Sequence, residues 1–306
     1  MRSKKILWTI FGFIVVNIYF LGVVVFNFYV KDGMRVIFFD VGQGDSSLIM
    51  TEDENILIDG GPDKKVIEKL DNYLPFWNRK IDVMVLTHPH ADHVIGLIDV
   101  LLKYEVGEVW TTDVLHNSPE YLEFLEIMRD KGIKVKIVGR DAPNIRGISA
   151  ANARIEILYP NNNLSGEKEV DNLNNTSIVL KLNYKDKSFL FTGDIEEEVE
   201  KEFCCEVGDS HLKGDCHLKE LDADVLKVAH HGSNNSSSLC FLEAVKPEFA
   251  IISAGKDNDF GMPSLRVLNR LERMGIEVFR TDEDGDVIFE TDGGGIKKLV
   301  RYQFSK

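Results

Sequence analysis

The sequence predicts an α/β protein in which helices cover a sheet and one membrane-spanning helix stands ahead of both. Three observations carry this. From Met34 onward, short apolar runs bounded by Gly, Asp and Asn alternate with stretches of helical spacing. The turns that end those runs collect histidine, aspartate and glycine. Ahead of them all lies a run without a single charged residue, Ile6 to Val30. The chain has 306 residues and 44% hydrophobic content, and no stretch reads as a linker. One folded domain over 34–306 behind an anchor over 1–33 is therefore expected.

The uncharged run is 25 residues long, enough to cross a bilayer of roughly 30 Å as a tilted helix. Arg2, Lys4 and Lys5 precede it and only Lys31 follows closely, so the positive-inside rule places the N-terminus in the cytoplasm and the domain outside it. The competing reading is a cleaved signal peptide. Such peptides have an apolar core of about 7–15 residues followed by a small-residue cleavage site, which Asn27-Phe28-Tyr29-Val30 does not offer.

The domain opens with a strand at Val36 to Phe39, a turn from Asp40 to Asp45 and a second strand at Ser47 to Met50. Ile56 to Ile58 forms a third strand, ended by Asp59-Gly60-Gly61, and Lys64 to Tyr73 has helical spacing. Next comes Ile81 to Leu86, a buried-strand pattern that delivers Thr87-His88-Pro89-His90-Ala91-Asp92-His93 to its C-terminal end, just before a helix from Val94 to Leu102. Three imidazoles and one carboxylate in so short a turn exceed what one metal ion needs, and two ions are the natural reading. The plain alternative is a polar turn with Asp92 or His93 as helix end groups. A cap needs one such residue, not four.

Glu108 to Thr111 and Lys134 to Val138 continue as strands around a helix from Pro119 to Lys131, and Arg154 to Pro160 opens a second half. A polar loop then brings Asn174-Asn175-Thr176-Ser177 to a strand at Ile178 to Leu182. Ser188 to Phe191 runs into Thr192-Gly193-Asp194 and an acidic helix from Ile195. Asp194 is the best bridging candidate, because a carboxylate can give one oxygen to each of two cations; a helix cap is its simpler reading. Cys204, Cys205 and Cys216 sit in the next stretch, read as a surface excursion, with a disulfide from Cys204 or Cys205 to Cys216 outside the cell or zinc binding in a reducing compartment as the alternatives, and Cys240 reads as a small buried hydrophobe.

Ala223 to Ala229 is a strand that presents His230-His231-Gly232-Ser233. His230 is the expected ligand and His231 the expected acid or hydrogen-bond donor, although sequence does not distinguish adjacent histidines. A helix from Ser238 to Val245, a strand from Phe249 to Ser253, a helix from Leu265 to Met274, a strand at Val278 to Arg280 and a hairpin around Asp284-Gly285 complete the chain.

The spacing His88-x-His90-x-Asp92-His93 after an apolar strand resembles the signature of the metallo-β-lactamase superfamily. Within it, Phe39 to Asp45, Thr192-Gly193-Asp194 and His230 to Ser233 resemble the soluble domain of the ComEC-type DNA-uptake proteins, over about Arg35 to Ile288. The resemblance implies an αββα sandwich and a metal centre. It also implies that Asp45 and Asp59 orient metal-bound groups, where an Asx turn is the local alternative. Many superfamily members have a histidine at a third ligand position. This sequence has none between His116 and His211, and Asn174 or Asn175 becomes the candidate to orient a bound water or substrate oxygen. Weak coordination of this kind suits Mn²⁺ as well as Zn²⁺. The ComEC-type relatives carry Gly-His-Pro where Gly261-Met262-Pro263 stands.

The expected function is a membrane-anchored hydrolase with two divalent metal ions, Zn²⁺ or Mn²⁺, held by His88, His90, Asp92, His93, Asp194 and His230. Asp92, His231 and Asn175 are the candidates for proton transfer and substrate contact, with Asp45, Asp59, Asn174, Ser177 and Ser233 in support. A phosphodiesterase or nuclease acting on DNA, with a separate membrane channel protein as partner, is the leading reading. A surface module that binds DNA or a partner without turnover competes with it, as does hydrolysis of another phosphodiester or an ester. The net charge of −14 excludes a broadly basic nucleic-acid surface and leaves the work to the metals and a local basic strip.

Overall fold

The computed structural model describes residues 6, 8, 10–20, 33–139, 153–161, 163–166, 170–204 and 221–301. Two sheets stack face to face. In the first, β1 (Met34–Phe38), β2 (Ser47–Met50), β3 (Asn55–Ile58), β4 (Lys80–Val85), β5 (Glu105–Thr111), β6 (Lys134–Ile137), β13 (Asp286–Thr291) and β14 (Ile296–Arg301) run in the order β14-β13-β1-β2-β3-β4-β5-β6. In the second, β7 (Ala153–Tyr159), β8 (Val179–Tyr184), β9 (Lys187–Phe191), β10 (Val225–Lys227), β11 (Phe249–Ile252) and β12 (Glu277–Arg280) run in the order β12-β11-β10-β9-β8-β7.

Strand alternation divides the core into three layers. Val36, Phe38, Ile56, Ile58, Val83 and Val85 face the second sheet, meeting Leu180, Leu182, Phe189, Phe191, Val225 and Ile251. Phe38 stacks on Phe191 with ring centroids 5.6 Å apart, bridging the two sheets. The intervening residues Ile37, Leu57, Met84 and Val109 turn outward onto the helices Lys65–Tyr73, Ala91–Lys103 and Pro119–Lys131. On the far side Leu190, Leu226, Ala250 and Ile252 pack against Glu197–Phe203, Leu239–Val245 and Leu265–Arg273. The order helix, sheet, sheet, helix is the expected αββα sandwich.

Two sequence expectations are corrected. The residues around Asp284-Gly285 do not close a hairpin: Thr281–Asp284 is a short helix that carries the chain from β12 in one sheet to β13 in the other. Asp284 Oδ2 accepts from Arg280 N at 2.8 Å and Thr281 Oγ1 accepts from Ala254 N at 3.0 Å, which fixes the crossing. The closing hairpin is instead β13 to β14. Cys240 is not a lone hydrophobe: it pairs with Cys204, Cα to Cα 6.1 Å, because the helix Glu197–Phe203 lies along Leu239–Val245. Cys205 and Cys216 lie outside the described residues.

The expected span over 6–30 is described only in part. Residues 10–20 are helical and expose apolar side chains such as Phe13 and Tyr19. Among the described residues no helix is long and apolar enough to cross a membrane, and 21–32 lie outside them.

Candidate metal centre

The strand β4 ends at Val85, and Thr87 anchors the turn that follows. Its amide donates to Asp59 Oδ1 at 2.8 Å and its hydroxyl to Asp59 Oδ2 at 2.7 Å. The helix Ala91–Lys103 then begins with His90 at its N-cap, without any side-chain cap. Neither Asp92 nor His93 is used as an end group, so both project toward the second sheet. The helix is drawn close by main-chain bonds from Gly60 N to His93 O (2.8 Å) and from Gly96 N to Gly61 O (3.0 Å). A Cβ on Gly60 or Gly96 would collide with the facing backbone, so the approach needs glycine on both sides.

The opposite half of the centre comes from β9 and β10. Gly193 turns with φ 52°, and Ser177 Oγ accepts from Asp194 N at 3.0 Å, which aims the Asp194 carboxylate into the gap. After β10, His230 and His231 both adopt left-handed backbone (φ 48° and 53°), and their side chains diverge. His231 is buried, with Nδ1 2.9 Å from the Ser253 carbonyl and Nε2 3.2 Å from Asp92 Oδ2 and 3.3 Å from Asp194 Oδ2. His230 points elsewhere: its Nε2 lies 3.4 Å from Asn174 Nδ2 and its Nδ1 3.2 Å from Glu196 Oε1.

Asp92, His93, Asp194 and His231 therefore converge, with one ligand atom from each within 4.8 Å of all the others. The donor set suits a divalent cation for reasons visible in the molecule. His93 Nδ1 lies 2.9 Å from Asp59 Oδ2 and His231 Nδ1 faces the Ser253 carbonyl, so each ring has a proton acceptor behind it and turns Nε2 toward Asp194 Oδ2. Asp194 Oδ1 is buried and takes no hydrogen bond from any described residue. Burial opposes charge on both imidazoles, yet Asp194, with Asp59 and Asp92 for His93 and Asp45 for His231, lifts their pKa values well above the ordinary 6.5. The same proximity, working against burial, holds Asp194 and Asp92 below the usual carboxylate range. The surrounding carboxylates thus favour positive charge at this point.

A second pair of donors adjoins this group. His88 Nε2 and His90 Nδ1 are 3.0 Å apart, and His88 Nε2 lies 4.0 Å from Asp194 Oδ2. Desolvation lowers the pKa of both rings, keeping them neutral and ligand-ready. Thr87 Oγ1 and Ser177 Oγ approach His88 Nδ1 at 3.1 and 3.2 Å and set the ring's orientation.

A family model described as the metallo-beta-lactamase superfamily matches residues 39–256. The chain belongs to the metallo-β-lactamase superfamily. It is similar to ComE operon protein 3 of Bacillus subtilis, 31% identical over 268 residues that make up 81% of this chain and 32% of that protein. It is also similar to competence protein ComA of Neisseria gonorrhoeae, 30% identical over 275 residues, 88% of this chain and 34% of that protein. The chain spans about a third of the length of these relatives. Among solved structures, the metallo-beta-lactamase fold protein YhfI of Bacillus subtilis superposes with a TM-score of 0.53 at 14% identity, covering 85% of this chain and all of that one (100%).

Within this metallo-β-lactamase site, sequence reasoning missed Lys227. It sits 3% exposed at the C-terminal end of β10, its ammonium in contact with Asp45 Oδ2, 3.6 Å from Asp194 Oδ1 and 3.1 Å from the Gly193 carbonyl. A lysine inside the apolar run Val225 to Ala229 was the available signal, since lysine is rarely buried unless paired. Asp45, Asp59 and His93 form a second convergence behind the first. Lys227 already brings a cation to Asp45, and Asp59 is engaged by Thr87 and His93, so this group braces the site.

The remaining candidates divide. Asn174 is buried, donates to Glu196 Oε1 at 3.0 Å, and its Oδ1 accepts nothing from any described residue. Asn175 is turned away onto the helix Glu197–Phe203, bonding Glu198 Oε2 at 3.0 Å and Glu196 N at 2.9 Å. Ser233 Oγ accepts from Asn235 N within its own loop, at 3.3 Å. Ser177 supports His88 and Asp194, as above. A cleft of about 560 Å³ opens over the donors, lined by Gln43, Lys65, His90, Asp92, Asn174, Asp194, His230 and Phe260 among others. Met262 stands beside it, its sulfur 3.9 Å from Gln43 Nε2.

Proposed function

We propose that this metallo-β-lactamase-fold protein is a membrane-anchored phosphodiesterase that holds two divalent ions, Zn²⁺ or Mn²⁺, and acts as a nuclease on DNA outside the cytoplasm. One observation carries the reading: the imidazoles of His93 and His231 meet at Asp194 Oδ2, with the Asp92 carboxylate and the His88–His90 pair beside them, at the floor of an open cleft. Asp92, His93, Asp194 and His231 would hold one ion; His88, His90 and Asp194 the other, with Asn174 Oδ1 a nearby polar atom that accepts no hydrogen bond from any described residue. Bound there, the ions supply Lewis acidity toward a phosphoryl oxygen and lower the pKa of water.

The protein's own groups do the rest. Asp59 and the Ser253 carbonyl keep the Nδ1 protons of His93 and His231, so the Nε2 lone pairs stay aimed at the centre. The Asp92 side chain, 32% exposed, reaches the cleft and can accept a hydrogen bond from water there, orienting it. His230, tied to Glu196 and Asn174, lines the cleft where a substrate would lie. The similarity to competence proteins supports DNA as the substrate, and a separate membrane channel protein as partner. The uncharged run over 6–30 supports the anchor, and the Cys204–Cys240 disulfide supports an oxidising side of the membrane.

The test is hydrolysis by the purified chain of single-stranded DNA, duplex DNA, RNA and small phosphodiesters, each with Mn²⁺, Zn²⁺ or Mg²⁺, with bound metal quantified in parallel. Metal-dependent cleavage supports the proposal. Full metal occupancy with no cleavage of any diester favours the second reading, a metal-stabilised binding module. Met262 favours that reading, since a thioether neither donates a hydrogen bond nor titrates.

A further inference from the structure

The rim of the cleft carries a phenylalanine that no core contains. Phe260 is 70% exposed, yet it lines the same space as His90, Asp92 and Asp194. Leaving such a ring in water forgoes roughly 1.5–3 kcal/mol of burial. The loop beneath it is nonetheless tightly held. Asn258 Oδ1 accepts from Phe260 N and Met262 N, both at 3.1 Å, while its Nδ2 donates to the carbonyls of Gly255 (2.9 Å) and Met262 (2.5 Å). Gly255 N in turn donates to Gln43 Oε1 at 3.0 Å, tying this loop to the turn between β1 and β2. One asparagine thus staples the backbone on both sides of an aromatic side chain that stays largely in solvent. A ring presented on fixed backbone is a binding surface whose ordering cost is already met.

The same cleft is lined by Lys65, whose side chain is 53% exposed and whose ammonium approaches Asp63 Oδ2 only to 4.0 Å. It lies near Gly42, where an added Cβ would sit 3.2 Å from Nζ. The opening therefore offers a flat apolar face, a cation available to a phosphate, and a metal centre. A nucleotide strand matches these features together: base, flanking phosphate and scissile phosphate. With a net charge of −14, a broad phosphate-tracking groove is not what holds the strand, and stacking has to contribute much of the affinity.

We propose that Phe260 is a stacking platform for the nucleobase next to the phosphate at the metal centre, and that it selects single-stranded over duplex nucleic acid. This rests on the phosphodiesterase reading for the position of that phosphate. Bases in a duplex have both faces stacked already, so only an unpaired base is free to lie on the ring. Base identity matters little, because every base has a π face.

The experiment uses the full chain loaded with Mn²⁺ and a fluorescent phosphorothioate oligothymidine, its affinity followed by anisotropy for wild type, Phe260→Ala and Phe260→Tyr. Comparison ligands are the blunt duplex and an oligomer of the same length without bases. Phe260→Ala should bind the single strand roughly 5- to 150-fold more weakly, the loss expected for one stacked base. Phe260→Tyr should keep wild-type affinity, and binding of the baseless oligomer should be equal in all three proteins. Metal content should not change, since Phe260 touches no ligand. Wild type and Phe260→Ala binding the single strand within twofold of each other, or an equal loss on the baseless oligomer, overturns the platform, as does a wild type that binds no single strand. Cleavage of a baseless phosphodiester oligomer by wild type tests the phosphodiesterase reading separately. Its failure would leave the affinity comparison to decide the role of Phe260.

Discussion

Replacing Lys227 with Met removes a lysine buried against carboxylates of the candidate metal centre while keeping a side chain of similar length. In the metal-free protein Asp45 loses its direct ion pair, and Asp194 loses a cation 3.6 Å from Oδ1. At that separation and an effective dielectric of about 20, one such pair interacts by roughly 4–5 kcal/mol. That agrees with the roughly 3–5 kcal/mol lost when one partner of a buried pair is deleted. Denaturant unfolding of the metal-free chain should therefore show Lys227→Met less stable by about 3–5 kcal/mol. Adding Mn²⁺ or Zn²⁺ places new positive charge beside Asp194, and the gap between variant and wild type should narrow. The assay is a pair of unfolding curves for each protein, with and without metal. A loss below about 1 kcal/mol in the metal-free state, the scale of a surface pair, would refute the bracing role of Lys227. An equal loss in both states would refute its coupling to the metal centre.

Other outcomes follow from the same geometry. His231→Ala should lower bound metal sharply whereas His230→Ala should leave it near wild type, as measured by elemental analysis; the reverse result would return the ligand role to His230. Asp194→Ala removes the oxygen shared by His93 and His231, and metal content should collapse, with unchanged stoichiometry arguing against a shared carboxylate. Glu200→Ala takes the acceptor from Ser237 N (2.5 Å) and Ser238 N (2.7 Å), and thermal unfolding should register about 1–3 kcal/mol for each amide left unpaired. Met262→His restores a titratable donor beside the cleft and should raise diester cleavage about 100- to 10,000-fold, the usual worth of a placed acid or base; a wild type that is already fast, with no gain in the variant, would make the position dispensable.

The fold was largely legible because each strand alternates its faces cleanly. Val36 and Phe38 against Ile37 is enough to call a two-sided strand, and the glycine turns mark where strands stop. The hairpin expected at Asp284-Gly285 failed because Asp-Gly is a local signal, whereas the crossing between sheets is set by distant bonds to Ala254 and within Thr281–Asp284. At the site, spacing pointed to His88 to His93 and Asp194, since these candidates follow strand ends. It could not separate His230 from His231, because the choice depends on two consecutive left-handed residues that composition does not announce. Cys204 and Cys240 are 36 positions apart, and only the packing of two helices brings them together.

The donors are shared between the two sheets: His88, His90, Asp92 and His93 follow β4, whereas Asp194 and His231 follow β9 and β10. An ion seated among them is thus a rivet through both plates of the sandwich, and its grip depends on how the plates are spaced along their whole length. Trimming Phe38 or Phe191, whose rings stack between the sheets, touches no ligand, yet it would let the plates settle toward or away from each other. Affinity of this candidate centre for a metal ion would then gauge core spacing, read at the rim.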